Sequence, residues 1–237
     1  MDPQRTMQNA STDENVLARK MHRRNFLRFT GTAASVGLLV STGCSEDYAP
    51  GDGPGEDIVN LGSGDTGVLN YAYALEQLEA AFYTQVMATP FSGMTALETA
   101  MLTDIRDHEI AHREFFKNAL LTNAIRDLQV NFSAINFSDR DSVLGTAKAF
   151  EDLGVSAYNG AGKLLTSGDF LTIAGKIVSV EARHAALIRD LITPGSFAAS
   201  DVVNAQGLDV VRTPQEVLAI AQTFLITKLN GSNLPTE

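Results

Sequence analysis

Cysteine is nearly absent from this sequence of 237 residues, since Cys44 is its only one. A single cysteine excludes an intramolecular disulfide, and it leaves no set of thiolates of the kind that zinc or copper(I) sites use. Basic residues are also few, with 18 Lys and Arg against 28 Asp and Glu, so the formal net charge is −10. So acidic a chain is not expected to bind nucleic acid.

The apolar run at residues 26–40 is too short, and too rich in Gly, Ser and Thr, for a comfortable membrane span. Arg23 and Arg24 stand just before this run, which is typical of a twin-arginine export signal. Cys44 follows where the leader ends, as a lipidated residue or beside an ordinary cleavage site. Residues 1–44 are therefore predicted to direct export to the periplasm, with a possible lipid anchor on Cys44.

The rest of the chain divides by composition into three parts. Residues 45–65 are rich in Gly, Pro and Asp, which predicts a flexible tether. Apolar residues at helical spacing predict a bundle over residues 66–192. Residues 193–237 are interpreted as a loop and a short fifth helix, which starts at Thr213 with a capping threonine, a proline and a glutamate and continues to about Lys228.

Four long helices are expected within the predicted bundle, over about residues 66–89, 95–121, 138–166 and 170–193. Between the second and third helices, residues 123–138 break the helical pattern. Sixteen extended residues span roughly 50 Å, whereas a 24-residue helix is about 36 Å long. This segment can therefore run the length of the bundle, which predicts an all-α, up-down-down-up four-helix fold with one long crossover.

One motif occurs twice in these helices: a glutamate, a tyrosine seven residues later, and Glu-x-x-His about thirty residues further on. The copies are Glu76, Tyr83, Glu109 and His112, and Glu151, Tyr158, Glu181 and His184. Positions three apart share one helix face, so each Glu-x-x-His directs a carboxylate and an imidazole to one point. Four carboxylates and two imidazoles suit two metal ions, and hard oxygen ligands with imidazole favour Fe or Mn.

The segments around the lone glutamates also resemble each other, because residues 69–83 align with residues 144–158 without a gap. This repeat predicts two helical hairpins related by a pseudo-twofold axis across a shared dinuclear site. The alignment also distinguishes two neighbouring glutamates. Glu79 is opposite Gly154 and has no counterpart, so Glu76 is the better ligand candidate.

The six ligand candidates match, in type and order, those of the ferritin-like superfamily of diiron carboxylate four-helix bundles, which the chain resembles over about residues 69–191. The resemblance implies that Glu109 and Glu181 bridge two Fe or Mn ions. It also implies that Tyr83 and Tyr158 are hydrogen-bond partners of the ligand carboxylates or redox-active neighbours, with core filling as the alternative. The exported, desiccation-related branch is the most similar, through its leader and C-terminal tail.

The sequence departs from this family just before each Glu-x-x-His, where many members carry an acidic residue that orients an imidazole. Here those positions hold His108 and Val180. The ligand histidines must find other partners, such as Asp104, Asp107 or a carboxylate from a facing helix. His108 is interpreted as an ordinary surface or packing residue.

The resemblance implies an exported dimetal protein that oxidises metal or reduces O₂ or peroxide in stress protection. Two alternatives stay open at this point. One is a metal-stabilised stress or interaction protein without catalytic activity, and the other is an enzyme with manganese-catalase-like activity. The residues leave open whether the protein is an enzyme, whether it holds Fe or Mn, and its oligomeric state.

Overall fold

The computed structural model of the protein describes residues 58–236, so the predicted leader, Cys44 and residues 45–57 lie outside the described part. The described chain forms helices α1 (Gly64–Ala88), α2 (Ala96–Leu120), α3 (Arg140–Ala161), α4 (Gly168–Ile192) and α5 (Pro214–Ala221), and strands β1 (Ile58–Asn60) and β2 (Lys228–Asn230). The predicted all-α bundle is confirmed. No helix within the described range combines the length and the hydropathy that crossing a membrane requires.

The starts of α2 and α5 follow the predicted capping sequences. At α2, the Thr95 hydroxyl accepts a hydrogen bond from the Glu98 amide at 3.1 Å, and Glu98 Oε2 accepts one from the Thr95 amide at 2.8 Å. Thr213 and Glu216 repeat this reciprocal pair at α5, with Pro214 at the first helical position. Both capping boxes satisfy amides that a helix start otherwise leaves without a partner.

Two helical hairpins form the bundle. Helix α1 packs along α2, α3 packs along α4, and contacts between α1 and α3 join the two pairs. Because α1 and α3 are central, α1 is buried on nearly every side, whereas α2 and α4 each bury one stripe. Phe82 of α1 lies in the centre of the core, with its ring 5.1 Å from that of Phe150 on α3 and 6.0 Å from that of Phe132 in the crossover.

The crossover between α2 and α3 is extended, as predicted, and it is attached to α1 by two buried amide side chains. Asn70 accepts a hydrogen bond from the Ile125 amide at 3.0 Å, and Gln77 accepts one from the Leu128 amide at 2.8 Å. An extended segment cannot satisfy its own backbone groups, so these side chains supply the partners that a helix would provide internally. The attachment positions the crossover against the bundle.

The prediction of a flexible tether is wrong from Ile58 onward. Strand β1 pairs in parallel with β2, with Ile58 opposite Lys228 and Asn60 opposite Asn230, and the following Leu61 is fully buried. The partner strand is about 170 residues away in sequence, so local composition does not reveal it.

The ends of α3 and α5 also differ from the prediction. Helix α5 stops at Ala221, short of the predicted Lys228, because the chain turns and continues as β2. Helix α3 ends at Ala161, where the C-terminal segment lies against it so closely that a Cβ at Gly160 would be 1.8 Å from the carbonyl oxygen of Arg212. Glycine at this position therefore permits the C-terminal segment to contact the bundle.

Candidate metal centre

The six ligand candidates of the repeated motif converge in the interior of the bundle, from α1, α2, α3 and α4. They form two overlapping groups, in each of which one ligand atom per residue lies within 4.8 Å of the others. The groups are Glu76, Glu109, His112 and Glu181, and Glu109, Glu151, Glu181 and His184. Glu109 and Glu181 belong to both groups. A carboxylate shared between two groups is the arrangement that a bridging ligand requires.

The first group surrounds Nδ1 of His112. This nitrogen lies 2.9 Å from Glu181 Oε1, 3.4 Å from Glu76 Oε2 and 3.7 Å from Glu109 Oε2. The nearest oxygen therefore comes from the facing hairpin rather than from the same Glu-x-x-His. The two hairpins meet at this group, since the first hairpin supplies three of its four side chains and the second supplies Glu181.

The second group repeats this arrangement around Nδ1 of His184. Its distances are 2.8 Å to Glu109 Oε1, 3.5 Å to Glu151 Oε2 and 3.8 Å to Glu181 Oε2. Again the nearest oxygen comes from the facing hairpin. The distances in the two groups follow the pattern that the expected pseudo-twofold relation between the sequence repeats requires.

The inner atoms of the two groups are buried without hydrogen-bond partners. These atoms are Glu76 Oε2, Glu151 Oε2, both oxygens of Glu109 and of Glu181, and Nδ1 of both histidines. Although nitrogen and oxygen approach each other to 2.8 Å, none of these pairs meets the geometry of a hydrogen bond. Burying such groups without compensation costs several kcal/mol each. Cations between them would remove this cost, and the oxygen and imidazole donors fit Fe or Mn.

Each tyrosine of the motif binds the lone glutamate of the other repeat. The Tyr83 hydroxyl donates to Glu151 Oε1 at 2.5 Å, and the Tyr158 hydroxyl donates to Glu76 Oε1. Burial, and then the adjacent carboxylate, raise the pKa of both tyrosines well above the usual 10, so both stay protonated as donors. One oxygen of each lone glutamate is thus held by a tyrosine, and the other faces an imidazole.

Comparison with known families agrees with this geometry. A family model described as a ferritin-like domain matches residues 64–194, which is more than half of the chain and runs from the start of α1 past the end of α4. The chain belongs to the ferritin-like family. No curated protein is similar enough in sequence to count as a match.

Outside the ligand groups of this ferritin-like bundle, His108 has a role that the sequence interpretation missed. Its ring is exposed on one side, but its Nδ1 lies 2.9 Å from Nε2 of His184, with the two ring planes only 9° apart. His108 belongs to neither ligand group, but its contact with a ligand histidine is more specific than the surface or packing role expected from the sequence. Asp107, an expected partner, is instead paired with Arg106. The signal in the sequence that could have indicated this contact is that His108 directly precedes the ligand candidate Glu109.

Glu79 is a second residue to which the sequence analysis assigned no function. It is buried beside the centre but belongs to neither ligand group. A Cβ at Gly154 would lie 3.1 Å from Glu79 Oε1, so the missing side chain in one repeat makes room for the extra carboxyl in the other. Burial, reinforced by the charges of Glu181 and Glu109, raises the pKa of Glu79 well above its usual value. This shift favours the protonated, uncharged form of Glu79.

Protons compensate the buried charges of the centre when no cation is present. Burial, reinforced by Glu181, raises the pKa of Glu109 to about 8, and burial raises that of Glu151 to about 7. Burial would lower the pKa of His112 and His184, but the surrounding carboxylates outweigh it and raise both to about 12. Burial would also raise the pKa of Glu181, but the two imidazoles hold it below its usual value.

These shifts predict that the metal-free protein becomes less stable as the pH rises from about 6 to about 9. The folded state holds protons on Glu109, Glu151 and the two histidines that the unfolded state releases, so stability is lost as the pH passes through their raised pKa values. The depressed pKa of Glu181 acts only below about 4.5. Urea denaturation at several pH values in the presence of a chelator measures this slope.

A matched variant tests the origin of that slope. Glu109→Gln removes one of the raised carboxyls while keeping its volume, so its stability should depend less steeply on pH than that of the wild type. A wild-type stability that stays constant, or increases, between about pH 6 and 9 would contradict a proton-compensated centre.

Proposed function

We propose that this ferritin-like protein binds two Fe or Mn ions and uses them to reduce O₂ or peroxide, or to oxidise the metal itself, as an exported stress-protection protein. The observation that carries the proposal is the pair of ligand groups that share Glu109 and Glu181, with their inner atoms buried and unpartnered. Shared carboxylates are suited to two ions roughly 3.5–4 Å apart.

The residues of such a centre would have different roles in binding the ions. Glu109 and Glu181 would bind both ions, His112 and His184 would each bind one, and Glu76 and Glu151 would complete the two sets. Two adjacent ions, when bound, supply one electron each. Two electrons and two protons convert O₂ to H₂O₂, or H₂O₂ to two water molecules. Tyr83 and Tyr158 hold the lone glutamates in place as hydrogen-bond donors.

A small apolar cavity favours O₂ over peroxide as the oxidant. It has a volume of about 30 Å³, and its wall, which includes Leu75, Phe116 and Tyr158, is made almost entirely of carbon. The Tyr158 hydroxyl binds Glu76, so the cavity and the centre share this side chain. About 10–15 Å³ suffices for a water-sized molecule, and apolar cavities accept apolar guests. O₂ fits this description, whereas H₂O₂ would lose most of its hydrogen bonds to water.

Metal analysis of the purified protein tests the centre. The wild type is expected to hold close to two Fe or Mn ions per chain, one for each ligand group. Glu109→Gln combined with Glu181→Gln should abolish binding, because both groups lose their shared ligands while the helices keep their side-chain volume. Added metal should raise the melting temperature of the wild type but not that of the double variant.

A control with the same number of lost carboxylates is Asp141→Ala combined with Asp169→Ala. These residues are exposed on α3 and α4, so the control should keep the metal content of the wild type. If the double variant at Glu109 and Glu181 holds as much metal as the wild type, the proposed centre is wrong. Full metal content without any consumption of O₂ or H₂O₂ would favour the non-catalytic alternative, and disproportionation of H₂O₂ by the manganese form would favour the catalase-like one.

Filling the cavity separates the two oxidants. Ala72→Leu, in the cavity wall, should slow the oxidation of the Fe²⁺-loaded protein by O₂ several-fold and leave its oxidation by H₂O₂ and its metal content unchanged. Ala81→Leu on the same helix lies away from the cavity and serves as the control. Stopped-flow absorbance with each oxidant measures the rates. If Ala72→Leu slows oxidation by O₂ and by H₂O₂ equally, the cavity is not a path or binding site specific for O₂.

We also propose export by the twin-arginine route with a lipid anchor on Cys44, which rests on sequence outside the described residues. Replacing Arg23 and Arg24 with lysine should retain the protein in the cytoplasm. Cys44→Ala should leave export intact but release the protein from the membrane fraction. Cell fractionation followed by immunoblotting checks both outcomes, and a Cys44→Ala variant that stays membrane-bound would show that lipid is not the anchor.

A further inference from the structure

The two ligand groups have equivalent ligands but different surroundings. Each contains one imidazole, both share Glu109 and Glu181, and each has a lone glutamate that is held by a tyrosine. The residue before each shared glutamate breaks this equivalence, since it is His108 on α2 and Val180 on α4. The facing histidines therefore have different neighbours.

His184 has a hydrogen-bond partner behind it. Its Nδ1 faces the carboxylates, while its Nε2 lies 2.9 Å from Nδ1 of His108, and the two ring planes are nearly parallel. An ion at this group needs the lone pair of His184 Nδ1, so the proton of the neutral ring must be on Nε2, where it is donated to His108. Such an outer hydrogen bond selects the tautomer, orients the ring and increases the basicity of the ligand nitrogen.

His112 has no equivalent support. The side chain of Val180 contains no acceptor, and within residues 58–236 no hydrogen bond reaches Nε2 of His112. The side chain of His112 is also more accessible, at 13% of its surface against 5% for His184. An ion at the His112 group would therefore be held by a less oriented imidazole, closer to solvent.

We propose that His108 is a positioning residue that makes the two ion sites unequal. The ion bound with His184 is held tightly, and the ion bound with His112 is the exchangeable one. The inference rests on the proposed dinuclear centre and adds which of its two ions can leave. Loss of an outer hydrogen bond of this kind weakens metal binding about 10 to 100-fold, so the expected inequality is of that order.

Titration of the metal-free full chain with Mn²⁺ tests this proposal without any assay of activity. The electron paramagnetic resonance signal of free Mn²⁺ reports each binding step, and the wild type is expected to show one tight and one weak step. Repulsion between two cations weakens the second step in any such centre, so the two steps alone do not decide. The deciding quantity is the change in the tight step when His108 is replaced.

His108→Ala should weaken the tight step by about 10 to 100-fold, leave the weak step nearly unchanged and keep two ions per chain. His108→Asn should restore the tight step, because the asparagine Oδ1 stands close to the place of the histidine Nδ1 and accepts the same hydrogen bond. Val180 is the counterpart of His108 in the repeat, so Val180→Asn is expected to offer His112 an acceptor and to tighten the weak step. The melting temperature of each metal-free variant controls for damage to the fold.

Several results would overturn the inference. One is that His108→Ala weakens both steps equally, which indicates a general structural role. Another is that His108→Asn behaves like His108→Ala, which excludes the acceptor. Two binding steps of the same affinity in the wild type would also overturn it while leaving the dinuclear centre intact. Failure of the wild type to bind either Mn²⁺ or Fe²⁺ would instead overturn the proposed centre and this inference together.

Discussion

The burial of four carboxylates in a core of leucine, alanine and aromatic side chains is the constraint on which the rest of this structure depends. Glu76, Glu109, Glu151 and Glu181 are all fully inaccessible to solvent. Charges at such positions are expensive unless cations, protons or hydrogen-bond donors compensate them. The two histidines and the two tyrosines are the compensating groups that the chain itself supplies, and the inner oxygens that remain unpartnered define where ions would lie.

The exchange of partners between the two repeats makes this centre part of the packing of the bundle. Tyr83 on α1 holds Glu151 on α3, and Tyr158 on α3 holds Glu76 on α1. The two hairpins therefore contact each other through the same side chains that orient the candidate ligands. A change that separates α1 from α3 would also disorganise the centre, so stability of the fold and binding of ions are physically coupled.

The repeat made much of this structure predictable. Two Glu-x-x-His motifs at helical spacing were sufficient to identify which side chains converge, and the missing counterpart of Glu79 separated it from Glu76. The length of the segment at residues 123–138 was sufficient to predict an extended crossover that runs along the bundle. Prediction failed where the partner of a segment lies far away in sequence. The residues of β1 were assigned to the flexible tether because their partner strand, β2, is about 170 residues distant. It did not find the contact between His108 and His184, because the sequence does not show which way the side chain before a ligand turns.

The sequence by itself determined the helices, their order and the candidate ligand residues, because helical periodicity and capping are local properties of a chain. Only the tertiary structure decided which oxygen faces which nitrogen, and that His108 contacts one of the two ligand imidazoles while the other has no such partner. These features depend on the distances between side chains on different helices, and such distances arise only when the hairpins pack against each other.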